Sequence, residues 1–208
     1  MKKYHLLIAV CGFMLSSCFK SPDYDKLTVN FTTLTNRDPA ADFGSHKTYY
    51  ISDSIGLISS DTRDSFWLDA KARQLVNAVK ENMNSRGYTF VERKNGPDLG
   101  IVFTAIKNVS VGAIYPGWWY GGYWGGCYWG YCGYPPYYGY GYPVYYEITT
   151  GTIVLDMVDV KNASTHQNLP VIWTSVMTGG LGYSVDDVQL GINAINQSFT
   201  QSPYIATK

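Results

Sequence analysis

The chain has 208 residues, room for one domain and a small appendage, and its sixteen basic and sixteen acidic side chains give a formal charge of zero. A neutral chain lacks the basic footprint that duplex DNA or RNA demands, which excludes nucleic acid as the partner. Aromatic residues make up 16 % and charged residues only 15 %, so the chain is no disordered polyelectrolyte and carries a local bias.

Lys2 and Lys3 form a short basic start, and Leu6 to Leu15 is an apolar run of secretory length, too short to span a bilayer. Leu15-Ser16-Ser17-Cys18 follows, a hydrophobic residue and two small ones ahead of a cysteine. This order resembles a bacterial lipobox, which implies that residues 1–17 are a signal peptide and that Cys18 carries the lipid. Two or three acyl chains anchor stably where one binds marginally, so the expected partner is a membrane, reached through Cys18. Phe19 follows the cysteine, and by analogy the expected address is the outer membrane. Without residues 1–17 fourteen basic and sixteen acidic side chains remain, a net charge of −2. Residues 18–25, short and polar with one proline, suit a lipidated tether, and residues 26–208 form the expected domain.

Leu27, Val29 and Phe31 alternate with polar residues and predict a strand; a turn-rich stretch through Asn36, Asp38 and Pro39 follows. His46 to Ile51 predicts a second strand, closed by Ser52-Asp53-Ser54. Leu68, Ala72, Leu75, Val79 and Met83 recur at three- and four-residue spacing, predicting an amphipathic helix over about 64–86 that stops at Gly87. Tyr88 to Glu92 and Leu99 to Val111 read as strands around a Lys94-Asn95-Gly96-Pro97 turn. Thr152–Val160 and Val171–Thr178 read as a hairpin with a long loop, and Ser184 with Asp187 opens a second helix over about 185–200. The expected fold class is α+β, an antiparallel sheet with two helices packed on one face.

Between the strands lies a Gly/Tyr/Trp-rich insertion at about 112–146. From Tyr115 to Tyr146 it holds twelve Tyr, four Trp, nine Gly, four Pro and two Cys, and no charge occurs from Asn108 through Tyr146. Gly and Pro oppose regular structure while the rings oppose simple solvation, so the expectation is a collapsed or conditionally ordered loop. Rings with an apolar body and a polar tip suit membrane headgroups, sugar faces and protein interfaces, and Trp118, Trp119, Tyr120, Trp124 and Trp129 are the candidate binding surface. An inert insertion, or one whose rings fold back over the sheet, is the competing account. Cys127 and Cys132 are the cysteines left after Cys11 is cleaved and Cys18 lipidated; a disulfide, free thiols and metal ligation stay open, the oxidising compartment favouring the first.

The chain contains no Walker loop, dinucleotide fingerprint, H-E-x-x-H or G-x-S-x-G motif, and no cofactor is expected. Gly179-Gly180-Leu181-Gly182 does not match a phosphate cradle. Asp156 and Asp159, three apart on a strand, point to opposite faces, which defeats concerted acid–base work. His46 and His166 are the only mature histidines, and a Ser–His–Asp set around either has to assemble in space. The expected function is therefore a non-catalytic envelope lipoprotein, a binding or structural module at the outer membrane. The alternative is a hydrolase acting on envelope polymers or glycans.

Asp42-Phe43 with Lys47-Thr48-Tyr49, Gly87-Tyr88, Pro97-Asp98-Leu99, Gly151 through Asp159, Val171-Ile172-Trp173, and a last helix ending near Phe199 and Pro203 resemble a bacterial lipoprotein family of unknown function numbered 4136. The resemblance spans most of residues 26–203 and implies the lipoprotein address and the α+β fold. It implies no catalytic residue. The aromatic insertion departs from the family, in which this segment is usually shorter or more polar.

Overall fold

The computed structural model describes residues 32–59, 66–107, 127–128, 131–132, 136–137, 151–163, 169–179 and 186–207. The strands are β1 (Thr32–Arg37), β2 (Thr48–Ile51), β3 (Ile55–Ser59), β4 (Phe66–Trp67), β5 (Thr89–Phe90), β6 (Leu99–Lys107), β7 (Cys127–Tyr128), β8 (Tyr131–Cys132), β9 (Pro136–Tyr137), β10 (Thr152–Asp159) and β11 (Leu169–Thr178). The helices are α1 (Ala70–Ser85) and α2 (Asp186–Thr200).

The sheet is mixed, which corrects the all-antiparallel expectation. β1, β11, β10 and β6 are antiparallel neighbours in that order. The other edge of β6 carries β2 and then β3, both parallel to it, with Ile51 opposite Ile101 and Gly56 opposite Thr104. β5 extends β2 in parallel, and β4 pairs antiparallel with β3. Connectivity explains the direction: α1 lies between β3 and β6 in the chain, and a helical crossover returns the backbone to the starting end of the sheet. Ser52-Asp53-Ser54 does not close the strand. It kinks it, with Ser54 N–H and the Ser54 hydroxyl both meeting Ser52 Oγ, and the chain then resumes along β6.

Several boundaries move. β1 begins at Thr32 and includes Asn36 and Arg37, expected in a turn, because a full ladder with β11 pairs Arg37 with Trp173; residues 27–31 lie outside the described residues. α1 begins at Ala70, not 64, since Asp69 caps it by accepting from Ala72 N–H at 2.9 Å. Leu68, placed on the helix stripe by periodicity, precedes that cap and is 60 % exposed. β5 is two residues long, Thr89 and Phe90 pairing with Thr48 and Tyr49 of β2, and Val91 N–H makes the last bond, to Tyr49 O.

The end of α1 follows the sequence. Gly87 has φ +89, Gly87 N–H reaches Asn84 O and Tyr88 N–H reaches Met83 O, the double closure of a Schellman turn. A side chain at Gly87 would also run into the Thr207 hydroxyl.

One face of the sheet packs against both helices. Ile101, Phe103 and Ala105 of β6, Ile153, Leu155 and Met157 of β10, and Trp173 and Met177 of β11 join Leu75, Val79 and Met83 of α1 and Ile195 and Phe199 of α2 in one core. Trp173, fully buried, stacks at a tilt on Phe199 with ring centroids 5.4 Å apart and donates from Nε1 to Ser202 Oγ at 2.9 Å. Ser175 and Ser198 hydroxyls meet at 2.7 Å across the same layer, and Ser198 also donates to Ala194 O. The helices hold each other through Asn82 Nδ2 to Asn196 Oδ1 and through the Arg86 guanidinium, 4.9 Å from the centre of the Phe199 ring.

The opposite face is buried too. All eight residues of β10 are buried, and the register puts Val102, Ile106, Val154, Val158, Val171 and Val176 together on the side away from the helices. Within it Asp156, 1 % exposed, accepts from Thr174 Oγ1 at 2.6 Å.

Candidate functional site

A polar cluster forms where the turn before β2 meets the end of β10. Phe43–Ser45 is a single 3-10 turn, capped by Asp42, whose Oδ1 accepts from Gly44 N–H. The apolar Phe43 drives it inward: its ring lies 5.4 Å from that of Tyr204, and its carbonyl accepts from the Tyr88 hydroxyl at 3.1 Å. Burial raises the Tyr88 phenol pKa, so this donor stays protonated. The turn thereby carries His46 into the interior, 2 % exposed.

His46 Nδ1 lies 3.1 Å from Asp42 O and 3.3 Å from Ser45 Oγ, and its Nε2 lies 3.2 Å from Asp159 Oδ1. The approach to Asp159 falls short of a linear hydrogen bond, so Nε2 has a charged neighbour without a well-aligned acceptor. Asp159 also accepts from Asn162 N–H at 3.0 Å and Asn162 Nδ2 at 2.6 Å. Burial works against its ionisation, but the His46 and Asn162 contacts outweigh that and hold its pKa below the ordinary 3.8.

Asp98 closes the cluster on the β6 side. Its Oδ2 accepts from Lys47 N–H at 2.6 Å and Thr48 N–H at 3.1 Å, Thr48 Oγ1 accepts Asp98 N–H in return, and Asp98 O accepts from Val160 and Lys161 N–H. Partial burial opposes its ionisation; the two backbone donors and the nearby Lys161 charge prevail and lower its pKa as well. Lys161 Nζ reaches Ser45 O at 3.0 Å, tying the β10 end to the turn.

Such depressed carboxylates fix the sign of the acid response. A folded pKa below the unfolded one adds stability that is complete above the ordinary carboxylate range and is lost as pH falls through the folded value. The thermal midpoint of Asp159→Asn is expected to lie below that of the parent by a constant gap down to about pH 5, and the gap to narrow below about pH 4. A gap independent of pH to the acid limit would show that Asp159 contributes nothing through its charge.

Carboxylate, imidazole and hydroxyl thus fall in the order Asp159, His46, Ser45, the set that sequence order alone cannot assemble. Ser45 Oγ is committed elsewhere, however, to Asp42 O at 2.7 Å, a local cap within the turn. Asp156 stays apart from Asp159, bonded to Thr174 within the opposite face of the sheet. Cys18, His166, Ser184, Trp118, Trp119, Tyr120, Trp124 and Trp129 lie outside the described residues. Cys127 and Cys132 are described by their backbone, which pairs them directly across from each other in the β7–β8 ladder. No group of three or more metal-binding side chains occurs among the described residues, and no described helix is long and apolar enough to cross a membrane.

Sequence reasoning did not select Asp42, Asp98, Lys161 or Asn162 as a site. Their signal was nevertheless present: Asp42-Phe43, Lys47-Thr48, Tyr88, Asp98 and Asp159, quoted above as separate fragments of a family resemblance, converge on this one corner. Residues 33–204 match the model of a domain of unknown function, DUF4136. The chain belongs to the DUF4136 family. The crystal structure of a DUF4136 family protein from Bacteroides thetaiotaomicron is 36 % identical with a TM-score of 0.73, over 86 % of this chain and 99 % of that one. A PelC dodecamer from Paraburkholderia phytofirmans is 13 % identical with a TM-score of 0.40, over 85 % and 99 %. Curated proteins yield no match.

Proposed function

We propose that this DUF4136 chain is a non-catalytic lipoprotein of the bacterial cell envelope, held at the outer membrane by acyl chains on Cys18, and that it works as a binding or structural module. The observation that carries the non-catalytic reading is the burial of His46 with its ring edge turned to Asp42 O and Asp159, which leaves the imidazole no open side for a substrate. The anchor rests on the Lys2-Lys3 start, the apolar run and the Cys18 context. Trp118, Trp119, Tyr120, Trp124 and Trp129 supply the surface for a glycan or an envelope protein. The opposed positions of Cys127 and Cys132 in the β7–β8 ladder favour a disulfide: cross-strand Cα distances of about 4.5–5.5 Å fall within the range a bridge accepts.

Mass spectrometry of the mature protein from membranes reads anchor and bridge together. The expected result is an acylated N-terminal Cys18 with Cys127 and Cys132 alkylated only after reduction. An unmodified N-terminus at another residue would overturn the anchor, and thiols that alkylate without reduction would overturn the bridge.

A second reading, a hydrolase acting on envelope polymers or glycans, is favoured by the Asp159–His46–Ser45 order. Ser45→Ala separates the two, since it removes the only nucleophile of that set and with it only the contacts to Asp42 O and His46 Nδ1. Loss of a measured hydrolysis of peptidoglycan or glycan in this variant, with unchanged melting, would establish the hydrolase and end the non-catalytic reading.

A further inference from the structure

The sheet face turned away from the helices is buried, and among the described residues no helix or layer of strands packs on it. Its apolar floor is Val102, Ile106, Val154, Val158, Val171 and Val176, each less than a tenth exposed. Both described helices belong to the core of the other face. A face of this kind in contact with water would leave its valines open, and the two described helices do not supply the cover.

We propose that the occupant is the Tyr/Trp-rich segment 108–150 of the same chain. Three observations favour it over the other segments. First, the segment leaves from β6 and returns into β10, the two strands at the centre of the face. Second, its described points stand at both ends of the sheet. Lys107 and Gly151 stand at the end where Thr152 faces Ile106, whereas β9, within the segment, pairs with Leu169–Pro170 at the other end. Between those two ends β10 measures eight residues, about 27 Å, and the helices already occupy the other side. Third, the chemistry fits. The floor is not purely aliphatic, for Asp156, Thr104 and Thr174 are buried in it, Asp156 accepting from Thr174 Oγ1. Twelve phenols and four indoles offer broad apolar faces with a donor at the tip, the combination that covers valines and meets a buried carboxylate together. The absence of charge from Asn108 through Tyr146 follows from the same placement.

This inference goes beyond the proposed envelope role, because covering the sheet uses one side of the segment and leaves the other for a partner. Leu34 gives access to it. Leu34 pairs with Val176 on this face but sits on the edge strand, 41 % exposed, so a substitution there disturbs little of the core. In the mature chain with Cys18→Ala, Leu34 is replaced by the photo-crosslinking residue p-benzoylphenylalanine, irradiated, and the linked peptides are sequenced. The expected products are intramolecular links to residues between 108 and 150. Links to residues 19–31, links that join two chains, or the absence of any linked peptide would each overturn the proposal. None of these outcomes bears on whether Cys18 is acylated, so failure here is distinguishable from failure of the envelope reading. In parallel, replacing residues 116–144 by a short Gly-Ser linker is expected to increase binding of a hydrophobic dye. A folded deletion variant with unchanged dye binding and melting would also count against the cover.

Discussion

Trp173→Ala is expected to cost about 3–5 kcal/mol of folding stability, the largest single effect in this domain. The indole is fully enclosed, so its removal leaves a cavity bounded by β11 and α2 that neighbours held by sheet register cannot collapse to fill. It also strips Phe199 of its ring partner and Ser202 Oγ of the Nε1 donor. Trp173→Phe divides these contributions: most of the apolar volume stays, the hydrogen bond goes, and Ser202 keeps its contact with the Tyr204 hydroxyl at 3.2 Å. Its cost is expected to be about 1–2 kcal/mol. Urea denaturation of the soluble Cys18→Ala chain provides the measurement. Equal losses for the two variants would mean that the hydrogen bond, and not the filled volume, is what Trp173 contributes.

The second large effect concerns the His46–Asp159 contact. His46→Leu is expected to cost about 3 kcal/mol, because it leaves the Asp159 carboxylate buried with Asn162 as its remaining neighbour. Asp159→Val is expected to be worse, since the Asn162 N–H loses its acceptor as well. The informative variant is the double one. With both groups made apolar no charge is left buried against an apolar neighbour, and the Asn162 donors lose their acceptor only once, so the combined loss is expected to fall short of the sum of the singles by about 1–3 kcal/mol. Additive losses would show that the two side chains are neighbours without mutual stabilisation, and the account of this corner as a structural knot would fail.

A corner built this way connects to the proposed role. The knot joins the 3-10 turn, the start of β2, the start of β6 and the end of β10, elements far apart in sequence. It stiffens the sheet at the end where β9 meets β11. A domain that presents an aromatic segment to a partner gains from a rigid support beneath it, since disorder in the support would have to be frozen out on binding.

The strands β6, β10 and β11 and both helices were legible in the sequence because each carries its own period: two for Ile153, Leu155 and Met157, and close to four for Leu75, Val79 and Met83. Chain ends of helices were legible where the chemistry is local, as at Gly87, whose left-handed backbone few other residues adopt. The pattern before Cys18 is equally local, a linear order of basic, apolar and small residues that folding does not enter. What periodicity cannot contain is direction. The parallel pairing of β2 and β3 with β6 follows from the crossover through α1, and Ser52-Asp53-Ser54 reads as an end in sequence but is a kink in space. Nor can spacing bring Asp98, Asp159 and His46 together, for that corner depends on three strands meeting at one end of a sheet. Composition by itself determined that the aromatic segment is apolar and uncharged; only the tertiary structure showed a second buried sheet face that the described helices do not reach, because burial of a face depends on what the whole fold brings to it.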